Sequence, residues 1–198
     1  MRYALPLSAL LAAASAAPCF ADPLSFNDLS PWIARKVLHA ALTGQLNPGS
    51  TTVPKTGTAS YQGITVGTAD LTPSTTKVTA HDRLTGTMAL DVNFATQSLS
   101  GSFNNLTAID PKSHARTNVG TLFIENLFTP VSGKSYSATV STFSAFEPIG
   151  GQLSGHFIGP NASLTAGHWQ ASGTIPLIPT PTSSTAVSLH AGFVAARK

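Results

Sequence analysis

Apolar and polar residues alternate along most of the chain after residue 56, and this period of two predicts β-strands. In the segment 84–95 every second side chain is apolar and those between are small or polar: Met88, Leu90, Val92 and Phe94 alternate with Ala89, Asp91 and Asn93. Because successive side chains of a strand point to opposite faces, one face of this segment is expected to lie against a core. The segment 186–196 alternates in the same way.

Strand-like segments recur with turn residues between them, and they predict an all-β protein. Tyr61, Ile64 and Val66 mark the first strand, with a bend at Gly63, and 71–81 is expected to be a connection or an irregular strand. Eight strands are about the number whose interior side chains fill a barrel. We therefore predict a single eight-stranded antiparallel β-barrel, whose strands are 57–69, 84–95, 97–109, 119–131, 136–146, 150–158, 164–172 and 186–196.

The segment 150–172 predicts the clearest hairpin. Leu153, Gly155 and Phe157 share one face of its first strand, whereas His156 lies on the other face. The turn 159–161 (Gly-Pro-Asn) interrupts the pattern, since proline presets one turn position and glycine and asparagine tolerate a positive φ. A face of glycines and aromatic residues is typical of the inside of a small barrel. The Leu-x-Gly-x-apolar pattern also occurs twice earlier, at Leu84-Gly86-Met88 and at Leu99-Gly101-Phe103.

The first 55 residues have a different pattern. Residues 1–21 combine a basic start, an apolar stretch and a small-x-small ending, which predicts a signal peptide. A lipoprotein signal also ends at a cysteine, but Pro18 precedes Cys19, so cleavage after Ala21 is expected. Residues 22–55 are predicted to form one short helix, at 26–44, and a linker that leads to the barrel at 56–198.

The predicted N-terminal helix has recognisable ends and one apolar side. Ser30 suits the N-cap, Pro31 the first helical position and Gly44 the C-terminal cap. Its apolar stripe has helical spacing, and the helix is expected to plug or cap one end of the barrel. The stripe consists of Ile33, Val37, Ala40 and Ala41.

The charge of the chain and its lack of catalytic motifs argue against several classes of function. Charged residues make up only 10% of the chain, and the net charge of +3 is too small to favour nucleic-acid binding. The carboxylates show no recognisable catalytic spacing, and no Gly-x-Ser-x-Gly, His-Glu-x-x-His or phosphate-binding glycine motif occurs. We therefore expect no enzymatic activity, no catalytic residues and no resident metal. A Ser–His–Asp triad stays open from sequence alone, because its members meet only in space.

Three segments resemble the barrel domains of bacterial transferrin-binding protein B. LSGHFIGPNA (153–162), followed by a glycine and a tryptophan, is similar to the signature hairpin of those barrels. MALDVNFATQSLSGSF (88–103) resembles a strand–turn–strand unit of the family, and HAGFVAARK (190–198) resembles its last strand. The resemblance covers roughly residues 56–198. The chain departs from the family pattern at 163–164, where a carboxylate is common, and at 193–195, where Phe-Gly-Ala is usual.

The resemblance, which extends to the secreted haem-capturing hemophilins, implies a function. It implies a non-enzymatic binding protein of Gram-negative bacteria, secreted or associated with the cell surface, with the periplasm as another location. Its partners would be haem or a host protein, together with an outer-membrane receptor and export machinery; haem would be cargo and not a cofactor. Two alternatives stay open at this point: an integral outer-membrane barrel of eight strands, and a structural or adhesive surface module.

If haem is the ligand, histidine is the expected iron ligand, because the mature chain has no cysteine and Met88 belongs to the inward face. His39 is the first candidate, since the same helix carries Trp32, a flat apolar neighbour for a porphyrin. His114 is the second, because Arg116 lies beside it and can pair with a propionate. The third is an outward-facing group on the last three strands, His156, His168 and His190.

Overall fold

Eight strands follow one another around a closed antiparallel barrel, and the last strand pairs with the first. The computed structural model describes residues 51–127, 133–142, 149–176 and 184–198. A short 3-10 turn, Pro160–Ala162, lies between the sixth and seventh strands. The strands are β1 (Thr58–Pro73), β2 (Ala80–Asn93), β3 (Ser98–Ile109), β4 (Arg116–Leu127), β5 (Ser135–Ser141), β6 (Gly150–Ile158), β7 (Leu164–Pro176) and β8 (Ser184–Arg197).

The predicted fold class and strand number are confirmed, and the strand bounds shift by a few residues. One difference is at 71–81, where β1 continues to Pro73 and β2 already begins at Ala80. The predicted ends of the fourth and fifth strands, at 131 and 146, lie outside the described residues. The alternation explains the extension, because Leu71 is still buried on the inward face. The predicted helix at 26–44 lies outside the described residues. Within those residues, no helix is long and apolar enough to cross a membrane.

The inward face of β1 does not carry the most apolar residues of the strand. Tyr61 and Thr65 are buried, whereas Ile64 and Val66 lie on the outer face and are half-buried. At Gly63, where the sequence suggests a bend, β1 stays in register with both neighbours. Strict alternation therefore puts a threonine inside the barrel.

Aromatic side chains fill the interior in two groups. In the first, the Trp169 ring stacks on Phe103 with centroids 4.8 Å apart, and the Phe103 ring is 5.9 Å from Phe193. In the second, Phe157 lies 5.0 Å from Tyr136. The predicted inward faces of the two hairpin strands are confirmed, because Leu153 and Phe157 of β6 and Trp169 of β7 are fully buried. The remaining members of the second group are Tyr61 and Phe94, at 5.9 and 5.5 Å from Phe157.

One end of the barrel is covered by the turn between β6 and β7, and we call it the closed end. The Tyr61 hydroxyl donates a hydrogen bond of 2.7 Å to the carbonyl of Ala162, which is itself fully buried. Burial raises the pKa of this phenol, so it stays protonated. Gly159 and Asn161 have positive φ, as the turn prediction requires. Val53 packs against the core at the same end, which leaves the interior sealed from this side.

Candidate functional site

The opposite end of the barrel carries polar connections, and we call it the loop end. It includes the connections 74–79 and 110–115, which join β1 to β2 and β3 to β4. Asp110 organises the second of these. Its carboxylate accepts hydrogen bonds from the Lys112 N–H at 2.8 Å and from the Ser113 hydroxyl at 2.5 Å. These bonds, with the Ser113 hydroxyl as the main cause, hold the pKa of Asp110 below its usual value.

His114 is presented to solvent by this turn. Its N–H donates to the Asp110 carbonyl at 2.9 Å, and its backbone has a φ of 59°, in the left-handed region. The imidazole is exposed, and Arg116, the first residue of β4, is exposed as well. The loop therefore offers an accessible imidazole and a guanidinium two positions apart on one face of the molecule's surface.

A second arginine lies close to Arg116 in the barrel wall. Ile109 pairs with Arg83 on one side and with Arg116 on the other, so only one strand separates the two arginines. Among the described residues, neither guanidinium forms an ion pair with a carboxylate. Asp70 is engaged elsewhere, since its Oδ1 forms a solvent-exposed hydrogen bond of 2.6 Å with His81 Nδ1. The two arginines make the outer rim of the loop end suitable for an anionic group.

One carboxylate points into the mouth at the loop end. Asp82 lies on the inward face of β2, is 7% exposed, and accepts no hydrogen bond from the described residues. Burial raises the pKa of this group, and the nearby charge of Asp110 raises it further. An inward carboxylate cannot be recognised from the sequence, where Asp82 is only one more polar residue between Arg83 and His81.

We expect Asp82→Asn to stabilise the protein at neutral pH. The folded-state pKa is raised, so the carboxylate destabilises the fold while it is ionised, and this cost falls as the pH decreases through that pKa. Removing the charge should raise the free energy of unfolding by about 1 kcal/mol at pH 7, with a smaller difference at acidic pH. Asp91→Asn on the exposed side of β2 is the control. A loss of stability in urea unfolding at pH 7 would mean that the carboxylate has a favourable partner.

The outward-facing histidines of the last three strands are diagonal neighbours and do not lie side by side. His168 pairs with Ser154, and His156 pairs with Ala166. His190 pairs with Gln170, two positions from His168. His156 also makes a 2.9 Å hydrogen bond with the Ser135 hydroxyl. No group of three His, Cys, Asp or Glu side chains suited to a metal ion occurs in the described part of the chain.

The barrel interior offers no obvious place for a ligand. Its core side chains include Trp169, Phe103, Phe157 and Phe193, all fully buried. The best-formed hollow that the described residues make is a shallow, open depression of about 380 Å³ on the wall. It lies near the closed end, around Ser60, Asp91 and Ser100 on β1, β2 and β3.

The family model described as the C-lobe and N-lobe beta barrels of Tf-binding protein B matches residues 53–197. The chain belongs to the transferrin-binding protein B barrel family. The match includes the hairpin with Gly155 and Trp169, the strand β8 and the loop with His114, so the resemblance of the three segments is confirmed.

Solved structures of transferrin-binding protein B are similar to part of this barrel. A mutant of the vaccine antigen from Haemophilus parasuis Hp5 is 15% identical over 73% of this chain and 27% of that chain, with a TM-score of 0.35. The isotype 1 protein from serogroup B Neisseria meningitidis is 18% identical over 73% of this chain and 26% of that chain, with a TM-score of 0.34. The chain spans about a quarter of the length of these structures. No curated protein sequence matches it at a significant level.

Of the two predicted haem ligands of this transferrin-binding protein B barrel, only His114 lies among the described residues. His114 lies in the exposed turn at the loop end, with Arg116 beside it in sequence. His39 lies outside the described residues, so the pairing of His39 with Trp32 stays a prediction. The described chain begins at Thr51, which contacts the closed end through Gly159. His114 therefore lies at the end of the barrel opposite to the point where the segment with His39 joins it.

Proposed function

We propose that this chain is an exported, non-enzymatic binding protein of a Gram-negative bacterium that captures a host-derived iron source. Membership of the transferrin-binding protein B barrel family carries the proposal. The solved relatives are named for binding transferrin. The captured ligand would be haem or an iron-carrying host protein, bound at the cell surface or after secretion. An outer-membrane receptor and the export machinery would be further partners.

The packing of the barrel supports binding at its loops. A lipocalin-like mode needs an interior cavity, and here the Trp169–Phe103 stack occupies the middle of the barrel. At the loop end, by contrast, Lys112, His114 and Arg116 are exposed within one short stretch. These side chains suit a carboxylate-bearing ligand, such as haem through its propionates or an acidic patch on a protein.

The distribution of polar residues favours this proposal over an integral outer-membrane barrel. A membrane barrel presents an apolar band to lipid and a polar lumen. In this chain the interior is apolar and the described exterior is largely polar, as Gln152, Gln170 and Ser188 illustrate with their exposed side chains. A structural or adhesive module is the remaining alternative, and the absence of any captured ligand in the experiment below would favour it.

We expect the mature protein to bind haem, with a sharpened Soret band on titration with micromolar haem. A site at the loop end predicts that His114→Ala weakens binding, whereas a site on the predicted helix, where Trp32 can lie against a porphyrin, predicts that His39→Ala weakens it. His168→Ala, an exposed histidine on the barrel wall, is the matched control and should leave the titration unchanged. A tenfold loss of affinity corresponds to about 1.4 kcal/mol of binding free energy.

The same preparation should be tested against iron-loaded host transferrin on a biosensor surface. If wild type gives no spectral change with haem but binds transferrin, haem is excluded and capture of a host protein remains. Arg116→Glu should then weaken binding, whereas Lys198→Glu at the closed end should not. Failure of both ligands would contradict the proposal of iron capture.

We expect the exported protein to begin at Asp22 and to carry no lipid. The apolar stretch of the leader is 5–17, and Pro18 precedes Cys19 at the position where lipid attachment normally requires a small residue. Intact-mass measurement of the exported protein tests this directly. A diacylglyceryl group on Cys19 would contradict it and would anchor the barrel to the membrane.

A further inference from the structure

One part of the outer wall does not follow the alternation seen elsewhere in the barrel. In β8 the inward Phe193 and Ala195 are fully buried, but the outward Val194 is also buried, with 1% of its surface exposed. The outward side chains of β6 and β7 at the same height are buried too. We call these outward residues the outer apolar patch: Ile158 (2% exposed), Ala166 (0%), Val194 (1%) and Ala196 (6%).

The patch is continuous across three neighbouring strands. Val194 pairs with Ala166 of β7, and Ala196 pairs with Leu164, which in turn pairs with Ile158 of β6. On the other side Val194 pairs with Ile64, whose half-buried side chain extends the patch onto β1. No charged residue lies within the patch.

The strands cannot bury this patch by themselves. Side chains on the convex outside of a barrel stand roughly perpendicular to the sheet, so neighbours on the same face leave their tips open to solvent. Further along the same strands the outward His168 and His190 are exposed, as expected for an uncovered wall. Side chains that are outward and yet fully buried therefore require a layer of chain on top of them.

The described chain begins beside the patch. Thr51 and Thr52 are fixed to the turn that directly follows Ile158: the Gly159 N–H donates to the Thr51 hydroxyl at 3.1 Å, and the Thr52 N–H donates to the Gly159 carbonyl at 3.3 Å. The Asn161 N–H donates to the Thr52 hydroxyl at 2.8 Å. The residues that precede Thr51 thus join the barrel at the edge of the patch.

We propose that the segment 22–50 covers the outer apolar patch, with the apolar stripe of its predicted helix, around Ile33 and Val37, packed on Ala166 and Val194. The six residues 45–50 can span up to about 20 Å, and a helix of about 13 residues is about 20 Å long, so the helix reaches across the patch. Small side chains such as Ala166 allow close approach of a helix.

The closed end is a poorer place for the same helix. Ala162, Tyr61 and Val53 already cover the barrel interior there. A helix across the mouth would rest on a polar turn, whereas a helix on the wall buries apolar surface from both partners. This position differs from the plug or cap expected from the sequence.

Thiol reactivity in the full chain tests the proposal. With Cys19→Ser as background, Ala166→Cys provides one thiol in the patch, and its labelling by a maleimide should be about 100-fold slower than that of His168→Cys on the uncovered wall. Adding Val37→Asp to the helix stripe should make the thiol at 166 react at the fast rate. Arg35→Asp, on the opposite side of the predicted helix, should leave it protected.

A third thiol keeps the result interpretable. Ala171→Cys faces inward and should stay protected in every background, which shows that the barrel remains folded when Val37→Asp is present. Protection of the thiol at 166 that survives Val37→Asp would overturn the proposal. So would fast labelling in the parent chain, or protection that is lost on dilution together with dissociation of a dimer, because a second copy would then be the cover.

Discussion

Gly155→Val is expected to remove most of the stability of the fold, whereas His156→Val should change the free energy of unfolding by no more than about 0.5 kcal/mol. The two residues are adjacent in β6 and point to opposite faces. Gly155 lies on the inward face against Tyr136, its partner in β5. His156 lies on the outer face.

The reason is the position of the Tyr136 ring. A Cβ at residue 155 would lie 2.4 Å from the Tyr136 Cζ and 2.5 Å from its hydroxyl oxygen, well inside van der Waals contact. The ring cannot easily move away, since the hydroxyl is hydrogen-bonded to the Thr165 hydroxyl at 2.5 Å and Phe157 packs beside it. Overpacking of a filled core costs about 1–3 kcal/mol or more, and a valine adds further atoms beyond Cβ.

Urea unfolding of both variants measures the difference, and a second substitution tests its cause. If the Tyr136 ring is the obstacle, Tyr136→Ala combined with Gly155→Val should be more stable than the sum of the two single effects predicts. Equal stability of Gly155→Val and His156→Val would show that the inward and outward faces of β6 have been assigned the wrong way round.

Trp169→Ala is expected to destabilise the barrel by about 3–5 kcal/mol. Trp169 is fully buried, stacks on Phe103, and donates its Nε1–H to the Thr65 hydroxyl at 2.9 Å. Thr65 in turn donates to the carbonyl of Gly192 at 2.8 Å, so one buried threonine links the indole to β8. Removing the indole leaves a large cavity and an unpaired hydroxyl acceptor in the core.

Thr65→Val tests the contribution of the Trp169–Thr65 hydrogen bond without the loss of side-chain volume that Trp169→Ala causes. The two side chains have nearly the same shape, and the change leaves the buried indole N–H without a partner, at a cost of about 1–3 kcal/mol. Thr68→Val on the exposed face of β1 is the control and should be close to neutral. If urea unfolding shows Thr65→Val to be as stable as Thr68→Val, the hydrogen bond to Trp169 contributes nothing to stability.

Sequence pattern predicted the strands and the inward faces of several of them, but hydropathy alone does not identify the inward face of β1. Ile64 and Val66 are the most apolar residues of β1, yet the phase set by Tyr61 puts them outside and Thr65 inside. The reason is long-range: the space beside Thr65 is taken by Trp169, whose N–H needs an acceptor. A contact between residues 104 positions apart leaves no trace in local pattern.

In the candidate site, the sequence indicated only those features whose residues are adjacent in the chain. The polar loop with His114 was identified because its turn residues and basic side chains are adjacent in sequence. The inward carboxylate of Asp82, the spacing of Arg83 and Arg116 across Ile109, and the buried outer side of Val194 all depend on strand register. Register is set by the whole barrel, so these features required the structure.

Closure of the barrel has a consequence for the rate at which the chain folds. The pairing of β1 with β8 and the bond from the Thr65 hydroxyl to the Gly192 carbonyl, 127 residues away, form only when β8 is available. Contacts of such long sequence separation make folding slow. Until β8 arrives, β1 and β7 are open edges that recruit other strands. The fourteen-residue strand β8 therefore protects both edges at once, and removing it should expose them to pairing with other chains.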